Sequence, residues 1–113
     1  MKYVARAVVA VLAVALTTPL LAQDQVARGK QLYEEQKCRM CHNLGGVGNP
    51  KGVVLDEVGS KDSAEVMKMW LTDPKAMVAK TGSTRKPPMR SFASLPAADI
   101  DALVAYLSTL KKP

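Results

Sequence analysis

Five consecutive residues, Cys38-Arg39-Met40-Cys41-His42, hold both cysteines and the single histidine of this chain. Any fold must bring two thiols and one imidazole to one place, because no other copy of either exists. A thioredoxin-like redox pair expects a strand before the motif, whereas the preceding residues have helical periodicity. A structural zinc site usually takes four ligands, and two cysteines with one histidine fall short. A plain disulfide would leave the position of the only histidine a coincidence. Cys-x-x-Cys-His is instead the pattern of covalent haem attachment. Each thiol adds to one haem vinyl group, the two-residue spacing matches the separation of the vinyls, and the next imidazole faces the iron. The expected cofactor is therefore one covalently bound haem c, with Cys38 and Cys41 as attachment points and His42 as a metal ligand.

The opposite face of the iron decides function, because a permanent ligand gives an electron carrier and an open site allows small-molecule chemistry. A second histidine is not available, which leaves methionine. Met40 lies between the two cysteines and cannot reach the far face. Met67 and Met69 fall on a helical segment where Met usually fills core. Met77 and Met89 remain. Met89 follows Pro87-Pro88, which stiffen the backbone and place a side chain at low entropic cost; its alternative role is packing. The second ring nitrogen of His42 should donate to a backbone carbonyl that fixes its tautomer. Pro50 is the candidate acceptor, or merely shapes a turn.

The N-terminus reads as an export signal. Lys2 and Arg6 precede an apolar run from Ala7 to Leu16, and Ala22 suits the position before cleavage, though Leu20 is large for its place. The stretch is short for a membrane span, which needs about 20 residues. The expectation is a secretory signal peptide over 1–22 and one domain over 23–113, in a periplasmic protein without a membrane span once the signal is cleaved; an uncleaved anchor is the alternative. Without residues 1–22 the chain keeps 14 basic and 10 acidic residues, net +4. That balance favours acidic docking surfaces on partners. The basic residues are scattered and no aromatics interleave them, which argues against nucleic acid. Aromatics make up only 4% of the chain, so a bound apolar cofactor would supply bulk that the core lacks.

Periodicity predicts a first helix over about 25–37, with Asp24 as N-cap and Val26, Gly29, Leu32 and Tyr33 on one face. A glycine-rich loop is expected from Asn43 to about Lys61. Asp62-Ser63-Ala64-Glu65 predicts a helix start with Asp62 at the cap, with Val66, Met69 and Trp70 inward and an end before Pro74. A second irregular region is expected over 75–94. The last helix should start near Pro96 and run to about Leu110, with Ile100, Leu103, Val104 and Leu107 as its apolar stripe. No segment alternates over a strand length, so the fold class is all-α, with three to five helices.

These residues resemble the small class I cytochromes c. The resemblance spans nearly all of the chain after the signal. It rests on the Cys38–His42 motif, on Gly29 and Tyr33 set against Leu103 and Tyr106, and on Met89-Arg90-Ser91-Phe92 ahead of the final helix. It implies the cytochrome c fold, with long loops wrapped around one haem. It further implies that Gly29 permits a close helix crossing and that Met89 is the second iron ligand. Trp70 is implied to pack on the haem or to donate to a propionate, with plain core packing as the alternative. Arg90 stands where the family usually has proline, and Pro96 where it often has a Ser or Thr cap.

The function expected on this reading is a monomeric single-haem electron carrier, not an enzyme, which exchanges one electron at a time with redox protein partners. Lys37, Arg39, Lys51, Lys86 and Arg90 could surround the exposed haem edge. The alternatives are a haem subunit of a periplasmic dehydrogenase complex and a ligand-binding or peroxidase-like haem protein.

Overall fold

Helical periodicity in the two terminal segments produces the framework of the molecule. The computed structural model describes Ala10 and residues 17–111. The proposed signal over 1–22 therefore lies largely outside the described residues. Helix α1 spans Thr17–Glu35 and helix α5 spans Ala97–Ser108. Between them lie α2 (Val58–Lys61), α3 (Ala64–Thr72) and α4 (Pro74–Thr81). None of the described helices is long and apolar enough to cross a membrane.

The crossing of α1 and α5 is the central packing event. Leu32 and Leu103 are each 1% exposed, and Tyr33, Ile100, Ala102, Val104 and Leu107 are buried around them. Burying each large aliphatic side chain contributes about 1.5–3 kcal/mol. Gly29 is what makes the approach possible. A Cβ there would overlap the Ala102 carbonyl and stand 2.6 Å from Tyr106 Cβ. The rings of Tyr33 and Tyr106 meet edge to face at 5.9 Å and 64°, a favoured aromatic geometry. Arg28 bridges from α1 to Asp99 on α5 at 3.3 Å.

The ends of the helices follow local chemistry. Ser63 Oγ accepts from the Val66 N–H at 3.2 Å, so Ser63 caps α3 and Asp62 instead closes α2. Asp73 Oδ1 accepts from Ala76 N–H at 3.1 Å and starts α4, with Pro74 in its first turn. Asp24, expected at a cap, lies within α1.

Other expectations also change. The region over 75–94 is not irregular throughout, because α4 occupies its beginning. On α3 the buried residues are Met67 and Leu71; Val66 and Trp70 are half-buried and Met69 is 41% exposed. The segment after His42 is not all loop. It forms a small sheet of β1 (His42–Leu44), β2 (Val47–Gly48) and β3 (Val53–Val54), in the order β2-β1-β3. The helical core is otherwise as the sequence indicated, and the cytochrome c fold that the resemblance implied accommodates it.

Two outcomes test this packing. Gly29→Ala gains helix propensity but overfills the crossing, and should lower the stability of the haem-loaded protein by about 1–3 kcal/mol in thermal unfolding. The Tyr33 hydroxyl is buried without a hydrogen-bond partner among the described residues. Burial raises its pKa to about 12 from 10.0. The unfolded chain therefore loses this proton first, and stability should fall as pH rises from about 10 towards 12. Tyr33→Phe should flatten that decline and leave neutral-pH stability equal or higher, as read by denaturant titration at several pH values.

Candidate functional site

The end of α1 delivers the motif. Lys37 adopts a left-handed backbone at φ 58, which stops the helix at Glu35 and turns the chain into a 3₁₀ segment over Cys38–Met40. A positive φ outside glycine is uncommon, and here it marks the switch from helix to site. Cys38 is half-buried and packs against the core, while Cys41 is exposed; both thiols are free. Burial pushes the Cys38 thiol up to about 11, with nearby Arg90 acting in the opposite direction. A catalytic redox thiol needs a lowered pKa, so the environment of Cys38 opposes a thioredoxin-like role. No group of three His, Cys, Asp or Glu side chains converges on a metal site among the described residues.

His42 opens β1. Its Nδ1 lies 3.2 Å from the carbonyl oxygen of Val53. The acceptor is therefore Val53, not Pro50. The cause is the parallel pairing of β1 with β3, which sets His42 opposite Val53. Pro50 is exposed in the turn between the strands. With Nδ1 held by that carbonyl, Nε2 is left as the nitrogen available to a metal, the arrangement that orients a metal-binding histidine. Burial lowers the pKa of His42, and the bond to Val53 partly offsets this. Both the neutral ring and the fixed tautomer suit ligation.

Asn49 organises the turn and was not singled out from sequence. Its backbone N–H donates to the Arg39 carbonyl at 2.9 Å and to the His42 carbonyl at 3.2 Å. Its side chain donates to the Met40 carbonyl at 3.1 Å and accepts from Lys51 N–H at 2.9 Å. One residue thus pins four backbone positions around the motif. The only sequence signal was Asn-Pro as a turn pair. Gly48 precedes it at φ 113, where a Cβ would overlap the His42 carbonyl.

On the other side, Met89 is half-buried and packs against the same core as Cys38. It also borders an open cavity of about 510 Å³ with Thr72, Pro74, Val78, Lys86 and Pro88 among its walls. Met77, the other candidate, is 3% exposed on α4, enclosed by protein. Met40 is 66% exposed. Trp70 is half-buried. Two of the five suggested docking cations are engaged: Arg39 pairs with Glu34, and Arg90 binds the Gln36 carbonyl. Lys37, Lys51 and Lys86 are exposed.

The residues present fit a covalently held haem. Two free thiols stand at the attachment spacing, an oriented imidazole adjoins them, and a thioether lies on the shared core. Val53 and Val54, on the strand paired with His42 and Asn43, are apolar yet 37% and 60% exposed. Asn49→Ala should cost about 1–2 kcal/mol through its two side-chain hydrogen bonds. Denaturant unfolding of the haem-loaded protein measures it.

Comparison with known proteins agrees with this chemistry. The cytochrome c family matches over residues 26–111. The chain is similar to a protein named cytochrome c oxidase subunit 2 from Alkalihalophilus pseudofirmus, with 29% identity over 92 residues. That alignment covers 74% of this chain and 25% of the relative, so this chain spans about a quarter of the relative's length. No solved structure matches the chain.

Proposed function

Since this chain belongs to the cytochrome c family, whose covalently bound haem c carries electrons, we propose that it is an exported single-haem carrier with a permanent His/Met-ligated iron. In this reading Cys38 and Cys41 form the thioether bonds, His42 is the proximal ligand and Met89 the distal one. Bound haem supplies a reversible one-electron iron couple. The protein's own residues determine how that couple behaves.

The observation that carries the reading is the placement of His42 and Met89 on segments packed against one core. His42 is oriented by Val53 and by the turn built on Asn49. Met89 follows two prolines and precedes a run of hydrogen-bonded residues. Enclosure of Met77 within α4 leaves its sulfur no open approach, which favours Met89. A thioether is a soft, neutral ligand that favours ferrous iron, and Met/His ligation is the arrangement by which cytochromes c raise their potential. With His42 and Met89 both holding the bound group, neither side would be open to a substrate, and the group would serve to exchange electrons with a partner.

Lys37, Lys51 and Lys86 would steer acidic partner surfaces, so association should slow with added salt. The periplasm is the compartment that the leader over 1–22 supports. The relative's name supports an oxidase as one electron acceptor. A second reading makes the chain a permanent haem subunit of a larger redox complex, and the fusion-like length difference favours it: the matched region is a quarter of that oxidase subunit.

Met89→Ala tests the ligand set. The ferric protein should lose its far-red sulfur-to-iron absorption band, its potential should drop, and the ferrous form should begin to bind carbon monoxide. An unchanged spectrum and potential would remove Met89 from the iron.

A further inference from the structure

Arg90 follows Met89 directly, and its side chain reaches from the Met89 loop to the end of α1. Its Nη2 donates to the carbonyl oxygen of Gln36 at 2.6 Å, across 54 positions of sequence. Gln36 lies between the end of α1 and Cys38, on the segment that carries the cysteines. The same guanidinium sits over the Phe92 ring, 4.8 Å from its centroid, a favourable cation–π distance. Phe92 is 7% exposed and belongs to the core, so one end of this strap is anchored in packed protein.

The next two residues are tied to a different element. Ser91 Oγ donates to the Thr72 carbonyl at 3.1 Å, and the Phe92 N–H donates to the Leu71 carbonyl at 2.7 Å. These bonds hold the loop to the end of α3. They leave its position relative to the cysteine-bearing segment unset. Arg85, on the other side of Met89, reaches the Lys51 carbonyl at 3.3 Å. That link is longer and is separated from Met89 by Lys86-Pro87-Pro88. Arg90 is the link adjacent to Met89 that spans the two sides of the site.

We infer that Arg90 is a positioning residue: by strapping the Met89 loop to the Gln36 carbonyl and stacking on Phe92, it keeps the Met89 thioether on the iron. The inference rests on the reading of Met89 as the distal ligand. It assigns a role to the position where the family usually has proline. Proline would restrict the loop through its own backbone; arginine restricts it through a side-chain bond to the opposite side of the site. The carbonyl at the end of α1 is an apt acceptor, since the last helical carbonyls lack intrahelical donors and carry the negative end of the helix dipole.

The ligand bond and the strap can be separated with imidazole as a competing probe. In the haem-loaded ferric protein, imidazole must displace the distal ligand before binding, so its apparent affinity reads how firmly that ligand is held. A hydrogen bond from a charged donor is stronger than a neutral one but is weakened by exposure, and the expected effect of Arg90→Ala is a rise of about 5–10-fold in imidazole affinity. The far-red sulfur-to-iron band should also fade at a lower temperature than in the parent protein. Arg28→Ala serves as the control, since it removes a guanidinium bridge between α1 and α5 without touching the loop. It should change thermal stability and leave imidazole affinity within about 2-fold, the scale of a surface effect. If Arg90→Ala leaves imidazole affinity unchanged while Met89→Ala abolishes the band, the strap is wrong and the ligand assignment stands. If Arg28→Ala raises affinity as much as Arg90→Ala, general loosening explains both and the inference fails. If the parent protein has no such band, the ligand reading fails first.

Discussion

At Gly29 the α1 backbone comes so near α5 that the Ala102 carbonyl takes the space of a side chain. That single approach sets the angle at which α1 ends, and α1 ends at the motif. Tyr33 and Leu32 lock the crossing from one side, Leu103 and Tyr106 from the other. A change at the crossing therefore moves Lys37 and Cys38 as well as the core. Covalent attachment of haem extends the same logic, because two bonds from this one segment fix the cofactor relative to the helix pair.

The proximal residues show how a short stretch with little core of its own becomes rigid. Between His42 and Val54 almost no side chain is buried. Order comes from backbone pairing in the small sheet and from the hydrogen bonds of Asn49. Rigidity matters in a carrier because each electron transfer asks the ligands to move as little as possible. His42 is held by a carbonyl on a paired strand, so its orientation depends on strand register rather than on side-chain packing. This explains why the acceptor is Val53: register selects the carbonyl, and Pro50 lies in the turn that makes the register possible.

Much of this was legible in the sequence where the pattern was long and periodic. The stripe of Ile100, Leu103, Val104 and Leu107 is buried as its spacing indicates, and Gly29 stands at the crossing. Shorter elements were harder to read. Pro74 signals the end of α3, and the same residue with Asp73 starts α4; a breaker read only as a stop hides the helix beyond it. On α3, both Val66–Trp70 and Met67–Leu71 have helical spacing, and periodicity alone does not say which pair faces the protein core. In the structure Met67 and Leu71 face inward, while Val66, Met69 and Trp70 stay partly exposed. Strands of two or three residues alternate too briefly to register. A carbonyl acceptor carries no side-chain signature at all.

The five cations that sequence groups near the haem edge divide by what their side chains already do. Arg39 is paired with Glu34, and Arg90 is committed to Gln36 and Phe92. Neither is free to reorganise around a partner without giving up a bond that shapes the site. Lys37, Lys51 and Lys86 are exposed and carry compact charges on flexible stems. The division follows the chemistry of the two residue types, since a planar guanidinium makes directed bonds and an ammonium acts as a point charge. Here the two arginines make directed bonds within the protein and the three lysines face solution. A partner that docked through the exposed lysines would leave the Arg39–Glu34 and Arg90–Gln36 bonds in place.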